Sequence, residues 1–145
     1  MVLKSLGPDF CTGLAENFDP KLVYPDPATA VSALTTPVVC LLSGLCSSGG
    51  LEIALACDIR IGTPDSCFSL TEPTNGLLPM WGGTQRLPRA ISQGRAASML
   101  LLGTEIDATT AQLWGLLHSI EQDDGFELAK TVESLMACGP WALQM

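Results

Sequence analysis

Residues 38–57 constrain this chain more than any other stretch. Val38 to Leu42 (VVCLL) is an unbroken apolar run, the pattern of a strand buried on both faces, as in a parallel sheet. Small residues follow, Ser43-Gly44-Leu45-Cys46-Ser47-Ser48-Gly49-Gly50. Leu51 to Cys57 (LEIALAC) is then apolar almost all round and reads as a buried helix. Glu52 breaks that pattern. Burying a carboxylate is expensive unless it is paired or does chemistry. Glycines at a helix start let backbone N–H groups approach a ligand where the helix dipole favours negative charge. With Gly49 read as the N-cap, Glu52 falls in the first turn, where the dipole alone also favours an acid. A catalytic carboxylate and a dipole-stabilised one both fit this stretch.

Length and charge narrow the alternatives. The 145 residues, 47% of them apolar, make one domain with enough side chains for a real core. No apolar run reaches the length of a membrane span, and residues 1–10 lack the pattern of a secretory signal, so an intracellular, cytoplasmic, soluble protein is expected. A net charge of −8 disfavours nucleic acid or an anionic membrane as partner. The six cysteines show no metal-ligand spacing and mostly lie in apolar runs, where Cys behaves as a small hydrophobe. With one histidine in the chain, no metal site is expected.

Along the chain, strands are expected at 1–6, 38–42, 59–62 and 67–70. Helices are expected at 28–34, 51–57, 84–92, 94–102, 108–117 and 124–136, the fifth with Asp107 as N-cap. This alternation predicts a single α/β layer with parallel strands. Glu72 falls in a loop rich in Pro and Gly, where an acid is ordinarily solvated. His118 reads as a strand-edge residue. Gly139 begins a further helix.

The segment SGLCSSGGLEIALACDIRIGTPDSCFSLTEPTNGLLPMWGGTQRL resembles the crotonase superfamily, the enoyl-CoA hydratase/isomerase family. The resemblance is carried by Gly49-Gly50-Leu51-Glu52, by Cys57-Asp58-Ile59-Arg60-Ile61, and by Glu72 twenty residues beyond Glu52. Gly76, Pro79 and Gly82-Gly83-Thr84 extend it, as do Phe10-Cys11-Thr12-Gly13 and GTEIDATTAQLWGLLHSI. It implies a crotonase-like (ClpP/crotonase) ββα spiral core over residues 1–145, incomplete at both ends. Family strands before Met1 and helices after Met145 are then absent, so an open sheet edge and exposed apolar helix faces are expected.

The resemblance also implies a chemistry. Water is added to or removed from an α,β-unsaturated acyl thioester, with Glu52 and Glu72 as catalytic acids and the backbone N–H groups of Leu14 and Gly49 as oxyanion-hole donors. Glu72 would transfer the proton and Glu52 would orient and activate water. The substrate carrier would be coenzyme A or the phosphopantetheine arm of a carrier protein, with no other cofactor. A homo-oligomer, trimer-based as in the family, is the implied assembly. Leu14 and Ala15 replace the family's usual Ala and Asp, and Trp81 stands where many members have a small residue, which narrows the acyl pocket. Other activities on the same oxyanion hole, isomerase or decarboxylase, remain alternatives, as does a non-catalytic relative. A serine or cysteine hydrolase built on Ser48 or Cys46 with His118 is the remaining alternative, although no G-x-S-x-G motif is present.

Overall fold

The computed structural model describes every residue except Glu16, Pro20, Lys21, Asp123, Pro140, Trp141 and Met145. In chain order the elements are β1 (Val2–Lys4), α1 (Pro27–Ser32), β2 (Val39–Leu42), β3 (Leu45–Ser47), α2 (Gly49–Ala56), β4 (Ile59–Gly62) and β5 (Cys67–Ser69). They continue with α3 (Gly83–Ile91), α4 (Gln93–Leu102), β6 (Ile106–Asp107), α5 (Ala108–Trp114), β7 (Ser119–Ile120) and α6 (Phe126–Met136). The α/β class expected from the sequence is what the chain adopts, but the strands divide into two sheets.

The first sheet is parallel throughout, in the order β1-β2-β4-β7, with Val39 opposite Ile59 and Leu42 opposite Gly62. The second has the order β3-β5-β6, and its β5–β6 pair is antiparallel. The expectation of one parallel layer is corrected here. Gly44, with φ 55, turns the chain after β2, so β3 leaves the first sheet and pairs with β5 instead. Ile106–Asp107, expected only as a helix lead-in, pairs with Cys67–Phe68 while Asp107 also caps α5 through Thr110 N–H at 2.7 Å.

Helix α2 lies at the centre because it carries so little polar surface. Leu51, Ala54 and Leu55 join Val38, Leu42, Phe68, Leu70, Leu87, Ile91 and Met99 in the core. Its far end is closed by Arg60, itself nearly buried. Arg60 Nε donates to Leu116 O at 2.8 Å and Nη1 donates to Cys57 O at 2.7 Å. A cation there also matches the negative end of the helix dipole. Asp58 accepts the Val38 N–H at 2.7 Å. The Cys57–Ile61 motif is therefore structural, tying the end of α2 to strands β2 and β4.

Helix α6 differs from its expected start at Asp124. It begins at Phe126, where buried Glu121 accepts from the N–H groups of Glu127 and Leu128. None of its residues is fully buried, and Phe126 and Met136 are exposed, as are Leu101, Leu102 and Leu113 elsewhere. The helix expected from Gly139 includes Pro140 and Trp141, outside the described residues; Ala142–Gln144 form one 3-10 turn. Among the described residues no helix is long and apolar enough to cross a membrane.

Arg60 gives the fold a direct test. Arg60→Leu leaves the Cys57 and Leu116 carbonyls buried without donors, at a cost of about 2–4 kcal/mol. The expected result is a lower urea midpoint with an unchanged denaturant slope.

Candidate active site

Two loops and the start of α2 enclose a cavity of about 870 Å³. One loop contributes Thr12 to Ala15 and Phe18; the other contributes Thr71, Glu72, Asn75, Leu77 and Trp81; Ser48 and Glu52 come from the α2 end. Glu52 stood out as a charge in an apolar helix and Glu72 through the family resemblance, and the fold delivers both to this one cavity.

Glu52 is reached from the first turn of α2, whose cap is Ser48 and not Gly49 as expected: Glu52 N–H donates to Ser48 O at 3.1 Å. The side chain is 2% exposed. Its Oε1 accepts two backbone N–H groups, from Trp81 at 2.8 Å and Gly83 at 2.7 Å. Gly83 must be glycine for this approach, because a Cβ there would lie 2.9 Å from that same oxygen. Arg86 Nη1 donates to Trp81 O at 2.7 Å and holds the donor loop against its own helix. Oε1 is thus doubly engaged, and Glu52 lines the cavity. Burial pushes the Glu52 carboxyl up to about 7, the Gly83 and Trp81 donors pulling against it and the Glu72 charge adding to the rise.

Glu72 corrects the expectation of a solvated loop acid. It starts a 3-10 turn, Glu72–Asn75, stopped by Gly76 at φ 70, and it is 8% exposed. Neither carboxyl oxygen has a hydrogen bond of ordinary geometry. Burial raises its pKa, with the Ser48 hydroxyl beside it as a partial counterweight. An unpaired buried carboxyl holds its proton or waits for a partner from the cavity.

Leu14 and Gly49 are brought together. A Cβ on Gly49 would lie 3.1 Å from Leu14 Cδ2 and 2.6 Å from Trp81 Cζ3, so both side chains cover its α-carbon. Among the described residues neither Leu14 N–H nor Gly49 N–H donates to another group. Trp81 also packs edge-on against Phe18, ring centres 5.9 Å apart, joining the two loops.

The hydrolase alternative finds no geometry. Ser48 lines this cavity, whereas His118 lines a separate groove under α6 and accepts the Arg60 N–H at 3.1 Å. Cys46 is fully buried. Sequence reasoning missed the Trp81 and Gly83 donors, for which the Gly82-Gly83 pair was the available signal. It also missed the Ser48–Thr71 contact, which has no sequence signal.

Two sheets linked by α2, with two buried acids lining one cavity, make a crotonase-type fold. The sequence model of the family described as enoyl-CoA hydratase/isomerase matches residues 7–145. The chain belongs to that family. It is 38% identical over 97 residues to a Bos taurus protein named enoyl-CoA hydratase domain-containing protein 2, mitochondrial, covering 66% of this chain and 33% of that one. The Homo sapiens protein of the same name is 38% identical over 95 residues, 65% of this chain and 32% of that one. The crystal structure of an enoyl-CoA hydratase from Bacillus anthracis superposes with a TM-score of 0.88 at 31% identity, over 99% of this chain and 60% of that one. The matched region thus spans about a third of these curated relatives.

The raised Glu52 pKa has a sign that stability can read. The folded state holds this proton more tightly than the unfolded chain, whose value is 4.5. The stability it contributes is complete below pH 4.5 and is lost as pH rises through about 7. Glu52→Gln keeps an oxygen for both donors and removes that loss. Thermal or urea denaturation should find the two proteins alike at pH 4.5 and the variant more stable at pH 8 by up to about 3 kcal/mol.

Proposed function

We propose that this chain carries the site of an enoyl-thioester hydratase, adding water across an α,β-unsaturated acyl thioester or removing it. The observation that supports this most is the pair of buried carboxyls in one cavity, both raised by burial, one to about 7. Adding water needs a base to activate it and an acid to protonate Cα, and acids poised near neutrality do both at physiological pH. Glu52, clamped through Oε1, has one oxygen to hold and activate the water. Glu72, whose carboxyl oxygens make no hydrogen bond of ordinary geometry, exchanges the proton.

The thioester carbonyl becomes an enolate in the transition state and needs donors aimed at its oxygen. The free N–H groups of Leu14 and Gly49 are the candidates, the latter at the positive end of α2. Such donors are worth about 2.7–4 kcal/mol each. Trp81 and Leu14 narrow the approach to Gly49. The chemistry as proposed draws on the chain's own acids and backbone, the acyl group arriving on coenzyme A or a phosphopantetheine arm. Keeping both acids favours hydration over the isomerase and decarboxylase alternatives, which use altered acids.

Hydration of crotonyl-CoA, followed at the enone absorbance, tests the reading. Glu72→Gln and Glu52→Gln are each expected to lower kcat by about 10²–10⁴-fold. Folded protein without turnover, or turnover indifferent to Glu72→Gln, contradicts it.

A further inference from the structure

Ser48 combines two features that a serine at a helix start does not ordinarily combine. Its backbone sits at φ 52 and ψ −126, where an L side chain is strained and glycine is not. Serine is favoured before a helix because its hydroxyl caps the first-turn N–H groups. The Ser48 hydroxyl makes no such bond. Neither its backbone nor its helix explains the side chain.

The hydroxyl points sideways instead. Ser48 Oγ lies 2.7 Å from Thr71 Oγ1, on the residue immediately before Glu72. Behind it, Ser47 Oγ is 3.5 Å away, and Ser69 Oγ donates to Ser47 Oγ at 3.2 Å. Ser47, Ser48 and Ser69 are all nearly buried. Four hydroxyls therefore run from β5 across the end of β3 to the turn that bears Glu72.

We propose that Ser48 is a positioning residue whose hydroxyl, through Thr71, fixes the turn that presents Glu72 to the cavity. This rests on the reading of Glu72 as the proton-transferring acid. When Thr71 donates to Ser48, the Ser48 proton is also free to turn toward the Glu72 carboxyl beside it. Glu52 is the titratable group that senses Glu72. Among the described residues Lys130 and Glu127 form an ion pair on α6, away from this turn in the chain.

Three variants of the full chain test this: Ser48→Gly, Ser48→Ala and Thr71→Val. The readouts are urea denaturation, kcat and KM for crotonyl-CoA, and the titration of Glu72 by carboxyl carbon NMR, assigned with Glu72→Gln. Ser48→Gly should unfold at higher urea than Ser48→Ala, because glycine relieves the strain. All three should raise the Glu72 titration by about half a unit or more and lower kcat about tenfold with KM little changed. A Glu72 titration unmoved in all three overturns the proposal, as does a Ser48→Gly protein no more stable than Ser48→Ala. Should the Ser48 variants not fold, Thr71→Val decides alone. A wild-type protein that folds but turns over no thioester sinks the hydratase reading instead, and the NMR titration still decides whether Ser48 and Thr71 hold Glu72.

Discussion

The site depends on one carboxylate oxygen, Glu52 Oε1, and the two N–H groups that reach it from Trp81 and Gly83. They join α2, which follows β3 of the second sheet, to the loop that opens α3. Without them Glu52 would be a buried charge with nothing to offset desolvation. With them it is held in one orientation, with Oε1 engaged by both donors. The same contact places Trp81, so the wall of the cavity and the position of the acid are set together. Arg86, bonded to the Trp81 carbonyl, braces the loop from the far side.

Other buried polar groups divide by whether their partners are complete. Arg60 is nearly buried, and its donors are taken by carbonyls at the end of α2 and before β7. Glu121 is buried, and both oxygens accept from the start of α6. These are structural, each closing a helix end. Glu72 is the contrast, with both oxygens buried and no bond to either. Leaving a polar group unsatisfied costs more than its bond would contribute, so such a group belongs where a ligand or a proton completes it. That difference, more than burial itself, separates the acid at the cavity from the arginine at the far end of α2.

Much of this was legible in the chain. The apolar run of β2, the all-round apolar α2 and the Asp107 cap follow from periodicity and local chemistry, which act over a few residues. The in-facing Glu52 stood out as a charge in an apolar helix, and Glu72 stood out only through the family spacing. By local composition Glu72 belonged in solvent, yet the structure buries it, because burial depends on which distant segments fold over a residue.

Taken alone, the sequence determined the class of fold and the family, because these reside in short patterns that survive without neighbours. Tertiary structure decided the division into two sheets, since the turn at Gly44 hands β3 to a partner more than twenty residues away. It also decided the environment of each acid. Glu52 meets donors 29 and 31 residues along the chain, and Ser48 meets Thr71 across a separation of 23. Hydrogen bonds of about 3 Å between residues so far apart leave no local trace, because the segments that bring them together are chosen by the packing of the whole core.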